Sequence, residues 1–233
     1  NLYIKNFHAN APDVYTLPDQ IDGCTYQYTT GNELTCCEIA TESRIKTTMT
    51  GVTEVGDDIR IDPVTTSPYY VAWTQTSNPF TSGGVAITDI YLKGDLIITA
   101  GARLNITGLT LHFKEGQEVQ LNAAATSDGT GAKLYLYSGT KLTAFDNCES
   151  DAMWEGIDVT GNWQYSQTTG SAQPYLYMSN ATIEYANIGV DAPTGGKVSA
   201  TLSNFKDNLI DVKFNSYAGY DNTSSFDRCD FYT

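Results

Sequence analysis

The stretch that decides the fold reads Trp154-Glu-Gly-Ile-Asp-Val-Thr-Gly161, then a polar loop, then Ala181-Thr-Ile-Glu-Tyr-Ala-Asn-Ile-Gly-Val190. Each piece is short, strand-like and closed by Gly or Asn. Pieces of this kind recur about once every twenty-odd residues, the period of a coil that stacks on its neighbours. The expected fold is all-β, a right-handed parallel β-helix.

Working outward, strands are expected at Ile87–Leu92, Leu96–Thr99, Arg103–Ile106, Thr110–Phe113, Glu118–Leu121, Lys133–Tyr137 and Lys141–Thr143. They continue at Gly156–Val159, Tyr175–Met178, Thr182–Tyr185, Gly189–Val190, Lys197–Leu202, Ile210–Phe214 and Ser225–Phe231. Apolar side chains alternate along most of them, as strands with one buried face require. The separators are glycines such as Gly101, Gly108, Gly116 and Gly139, or Asn at 105, 180, 187, 204 and 208, residues that tolerate the positive φ of a sharp corner. The two-residue Asn-Gly and Asp-Gly turns of antiparallel hairpins are missing, which favours a parallel solenoid over a sandwich. About six coils fit, giving a stack roughly 30 Å long.

Residues 1–84 lack this repeat. Turn clusters such as Asn10-Ala-Pro12 and Ser82-Gly-Gly84 separate short β-branched runs, including Ile59-Arg-Ile61. This segment is read as an irregular β-rich cap or companion to the solenoid at 85–233, because an open solenoid end exposes strand edges and core. The chain stops in mid-repeat at Cys229-Asp-Phe-Tyr-Thr233. The expectation is that the solenoid continues beyond it or that another molecule covers that end.

The chain carries 27 acids against 13 Lys and Arg, a formal net charge of −14. That argues against nucleic acid and anionic membrane as partners, since both select clustered positive charge. No apolar run long enough for a transmembrane helix occurs, so no membrane insertion is expected. Sixteen tyrosines and scarce lysine fit a secreted, extracellular or cell-surface protein whose signal peptide has been removed. Of five cysteines, Cys24 and the vicinal pair Cys36 and Cys37 flank a turn-rich loop and are the disulfide candidates. Closing that loop contributes roughly 3 kcal/mol by the chain-entropy estimate. For Cys148 and Cys229, a free thiol and a bridge are equally open. With two His and no Cys-x-x-Cys, no metal site is expected.

The order Gly101–Ile106, Gly131–Thr143, Trp154–Asn162 and Asn180–Gly189 resembles pectate-lyase-like parallel β-helix segments of large secreted surface proteins of Bacteroidota. The resemblance spans residues 73–233. It implies a surface or adhesin-like module, and its motifs encode coils and corners rather than a reaction.

The chemistry-bearing patterns are weak. Arg44-Ile-Lys46 and Asp57-Asp58 match fragments of a polygalacturonase signature in reversed order, without its companion elements. Asp146, Glu149 and Asp151 read as an acidic loop around Cys148. Glu155 and Asp158 flank Gly156-Ile157 and read as solvated outward acids, although paired carboxylates are what glycoside hydrolysis needs. His8 and His112 have no nucleophile beside them. No catalytic residue and no cofactor is assigned. Aromatics are the better lead: Trp163 and Tyr165 fall in the polar loop, where exposed rings stack on sugars or anchor partners. Tyr135, Tyr137, Tyr175 and Tyr177 are expected to form outward ladders.

The reading is a non-catalytic extracellular structural or adhesive β-helix that assembles head-to-tail into a surface fibre. Its partners are other copies of itself, or a surface glycan or protein. The alternative is a carbohydrate-binding or polysaccharide-lyase-like β-helix acting on an extracellular glycan.

Overall fold

A computed structural model of the chain describes residues 49–82, 84–145, 153–168, 172–217 and 219–232, together with the short strands Tyr15–Thr16, Gln27–Tyr28 and Arg44–Ile45. Two compact units are present. The first takes in residues 1–41 and 146–151, the second residues 42–145 and 152–233. In the first unit Tyr15–Thr16 pairs antiparallel with Gln27–Tyr28.

The second unit is a β-solenoid. Three parallel sheets are each built from one strand per coil, and consecutive strands in a sheet come from consecutive coils. Sheet I holds Asp58–Ile61, Leu96–Ile98, Glu118–Leu121, Trp154–Asp158, Ala186–Ala192 and Ile210–Phe214. Sheet II holds Val71–Thr74, Arg103–Thr107, Lys133–Tyr137, Tyr175–Ser179, Lys197–Thr201 and Ser225–Asp227. Sheet III holds Asp89–Leu92, Thr110–Phe113, Lys141–Ala144, Thr182–Glu184, Asn204–Lys206 and Asp230–Tyr232. No helix occurs among the described residues. The first rung uses residues 58–61, 71–74 and 89–92, the first two upstream of residue 85, where the sequence repeat becomes visible. Before it, Val52–Val55 runs antiparallel to Asp58–Ile61 and ends sheet I.

The core follows from the pleat. Successive side chains in a strand face opposite sides, so apolar residues at every second position form columns inside the coil. In sheet II, Leu104, Leu134, Leu176 and Val198 stand in register, and each is fully buried. The Phe113 and Trp154 rings stack at 4.5 Å across the interior. The Trp154 indole N–H donates to the carbonyl of Glu184 at 2.9 Å, so its one polar atom is satisfied.

Corners need backbone that most side chains avoid. Gly101, Gly108, Gly116 and Gly139 have positive φ, as does Asn180. Asn208 works differently: it is buried, and its amide accepts from the Ala186 N–H and donates to the Ile183 carbonyl. Asn105, Asn187 and Asn204 lie within strands instead. One irregularity marks sheet I, where the register shifts between Gly156 and Ile157.

Candidate functional site

Sheet II carries the most distinctive surface of the second unit. Its strands alternate strictly between buried and outward-facing residues from Arg103 to Thr107, Lys133 to Tyr137, Tyr175 to Ser179 and Lys197 to Thr201. The outward column Asn105, Tyr135, Tyr177, Ser199 is in register across four rungs, beside a second column of Arg103, Lys133, Tyr175 and Lys197. The expected tyrosine ladder is therefore a compact patch. The Tyr135 ring centroid lies 6.1, 5.9 and 5.5 Å from those of Tyr137, Tyr175 and Tyr177. Tyr137 and Tyr177 are 6.0 Å apart, and Tyr175 and Tyr177 are 6.4 Å apart.

Cations are built into this patch. The Arg103 guanidinium sits 4.1 Å from the Tyr135 ring centroid and 5.0 Å from that of Tyr70, a cation–π contact on two rings. Its Nε donates to Asn105 Oδ1 at 2.9 Å, which orients the plane. The Lys197 ammonium lies 5.8 Å from the Tyr175 ring centroid. Burial pushes the Tyr175 phenol above its ordinary pKa, and neighbouring Tyr135 and Tyr177 push the same way against a hydrogen bond with Ser199. The phenol is thus neutral at physiological pH, able to donate and to accept.

The loop leading into Tyr175 holds the two aromatics singled out from the sequence. Trp163 is 60% exposed and Tyr165 half-buried, within a turn closed by the Tyr165 N–H to the Asn162 carbonyl at 3.1 Å. Their backbone is held from below by two buried glutamines. Gln173 accepts from the Asn162 N–H at 2.8 Å and donates to the carbonyls of Asn162 and Tyr165. Gln167 donates to the Gly196 carbonyl at 2.8 Å and accepts from the Thr223 N–H and hydroxyl. The loop is anchored while the Trp163 indole projects. Among the described residues neither ring stacks on another.

Two concave sites lie on the other two sheets. On sheet I, Glu118, Glu155, Asp158 and Asp191 line a groove of about 180 Å³ at the register shift. Glu155 accepts from the Asn187 amide at 3.1 Å, Asp158 from the Thr160 hydroxyl, and Asp191 pairs with Lys213 at 3.1 Å. Burial raises the Glu118 pKa, a hydrogen bond from Gln120 opposes that, and Asp158, Asp95 and Glu155 raise it further. On sheet III, a groove of about 460 Å³ is lined by Lys141, Thr182, Glu184, Asn204, Lys206 and Tyr232. Its buried Glu184 is neutralised by Lys141 at 3.0 Å. His112 also lies on this sheet, stacked on Tyr91 at 4.3 Å with its Nε2 3.1 Å from Asp89.

No group of three or more His, Cys, Asp or Glu among the described residues is arranged to hold a metal ion. Cys24, Cys36, Cys37 and Cys148 lie outside the described residues, as do Asp146, Glu149 and Asp151. Cys229 is a half-buried free thiol whose Sγ is 3.6 Å from the Asp227 carbonyl. Trp163 and the tyrosine patch were legible as separate leads. The cations among the tyrosines were missed, although their parity along the strands was available as a signal. Comparison with family models, with curated proteins and with solved structures gives no match.

Proposed function

We propose that this chain is a non-catalytic, secreted β-helix that works as an adhesive module at a cell surface, holding a glycan chain against the tyrosine face of sheet II. The helix is right-handed, the hand that parallel strands joined by crossovers almost always take. The strand Val52–Val55, antiparallel to the first rung, acts as its cap. The observation that carries the reading is the set of four tyrosine rings linked by five centroid separations of 5.5–6.4 Å on a hydrogen-bonded sheet. Rigid half-buried aromatics lose little entropy on contact and offer apolar ring faces with polar hydroxyl tips, which suits the C–H faces and hydroxyls of sugars. Trp163, exposed on the loop that enters Tyr175, offers a further aromatic contact, with Tyr165 two residues on.

Affinity gel electrophoresis against a panel of soluble polysaccharides tests this reading. Retardation by at least one of them, weakened about tenfold or more by Tyr177→Ala, is expected; tenfold corresponds to about 1.4 kcal/mol. Failure to bind any polysaccharide, or binding unchanged in that variant, would refute it.

Head-to-tail assembly is a second reading, favoured by the rung at 210–232. There Ile210 and Phe231 are 43% and 49% exposed, while Phe231 stacks on Phe205 of the rung below at 4.9 Å. A further coil is what such a surface accepts. Sedimentation of the natural full-length protein at high concentration decides whether that coil comes from a second copy. Concentration-dependent polymers support assembly, and a constant monomer rejects it.

A further inference from the structure

The charge of sheet II is opposite to that of the chain as a whole. Five described cations, Arg60, Lys141, Lys206, Lys213 and Arg228, each lie 2.9–3.3 Å from a carboxylate oxygen. Arg103, Lys133 and Lys197 have no ion-pair partner among the described residues, in a chain with 27 acids to choose from. These three project from one face; Lys114, just past a sheet III strand, also lacks such a partner among the described residues but stands apart from them. Outward positions of sheet II carry no carboxylate until Asp227 on the sixth rung, which Arg228 pairs at 3.2 Å. Arg103 and Lys133 are moreover in register on adjacent strands. Strands lie about 4.8 Å apart, so the two like charges repel, and an anion between them would relieve that repulsion.

Arg103 is held as a reader of planar anions. Tyr70 and Tyr135 flank its guanidinium at 5.0 and 4.1 Å, and Asn105 occupies its Nε. The two terminal nitrogens make no hydrogen bond among the described residues. That leaves the edge of the guanidinium that engages a carboxylate through two parallel hydrogen bonds.

We infer that the glycan bound by sheet II is acidic, with uronate carboxylates met by Arg103, Lys133 and Lys197 while its sugar rings lie on the tyrosines. Arg103 is the residue that distinguishes acid from neutral sugar. This rests on the glycan reading above and adds the class of glycan to it. The contact is reversible binding, and no bond is made or broken.

The test compares polygalacturonate with its fully methyl-esterified form, which keeps the backbone and removes the charge, and with dextran sulfate as a polyanion without carboxylates. Polygalacturonate is expected to bind at least tenfold tighter than either. Its affinity should fall as NaCl rises through the range where the screening length drops below about 10 Å. Arg103→Gln should remove most of the preference for the free acid. Arg103→Lys should recover only part of it, because the charge returns without the fork. Lys197→Gln, at the far end of the column, should weaken acid binding independently, which covers a failure of Arg103 variants to fold. Equal binding of the esterified polymer overturns the acidic inference and leaves the glycan reading standing. Preference for dextran sulfate overturns the carboxylate assignment. Binding to none of the three, with neutral polysaccharides also inert, overturns both.

Discussion

Leu134 and Tyr135 are neighbours in one strand, and the pleat assigns them opposite fates. Leu134 is fully buried, between Leu104 and Leu176 of the adjacent rungs. Truncating a buried leucine to alanine costs about 2–5 kcal/mol, the larger figures applying where the cavity cannot collapse. Here the strands above and below are fixed by parallel ladders, so collapse is limited and about 4 kcal/mol is expected for Leu134→Ala. At roughly 2–4 °C per kcal/mol for a chain of this size, the melting temperature should drop by about 8–16 °C. Tyr135→Ala removes ring contacts on the outer face and should cost only about 0.5–1.5 kcal/mol. Urea titrations followed by tryptophan fluorescence measure both, since Trp73 and Trp154 are fully buried reporters. Binding should sort the other way: Leu134→Ala keeps glycan affinity below its transition, and Tyr135→Ala loses it. Equal destabilisation by the two variants, or a cost below about 1 kcal/mol for Leu134→Ala, would refute the assignment of inner and outer faces.

Three further outcomes follow from particular contacts. Gly156 has φ +104°, and a Cβ there would stand 1.7 Å from the Ile188 carbonyl oxygen; Gly156→Ala should therefore lower the urea midpoint by the equivalent of about 3 kcal/mol, and a loss below 1 kcal/mol would contradict the register shift. Glu118 has a folded-state pKa raised by burial and by its acidic neighbours, so the stability it contributes is present below the ordinary carboxyl range and lost as pH rises through the folded value. Glu118→Gln should stabilise the protein at pH 7 by under about 1 kcal/mol, discounted for solvent screening, with no gain at pH 3; an equal gain at both pH values would sink this account. Trp163→Ala should leave the melting temperature unchanged within about 0.5 kcal/mol, because the loop is held through the backbone by Gln173; a loss above 1 kcal/mol would make Trp163 a packing residue.

The solenoid was legible wherever strand alternation and corner glycines coincide. Lys133–Tyr137 and Thr110–Phe113 were read to the residue. Asn204 is a corner residue by type, yet it opens the strand Asn204–Lys206, whose Phe205 is fully buried in sheet III. The first rung was legible only in part: Asp89–Leu92 lies within an expected strand, while residues 62–70 and 75–88 separate its other two strands and break the period. Several corners were invisible for another reason. Tyr185, Leu202 and Arg228 adopt positive φ without the residue type that usually signals it. Stacking of the rungs imposes that backbone and overrides local preference. The tyrosine face was half visible: Tyr135 and Tyr137 share a strand, so parity alone puts them on one side. The approach of Arg103 to Tyr135, and of Tyr175 to Lys197, depends on register between rungs joined by loops of unequal length, which composition does not encode.

The most direct measurement of the central claim is an NMR titration of the protein carrying ring-labelled tyrosine with a polygalacturonate oligosaccharide. The account predicts shifts in Tyr135, Tyr137, Tyr175 and Tyr177 that saturate together, with Tyr91, stacked on His112 in sheet III, unmoved. Saturable binding that leaves those four rings unshifted would contradict it.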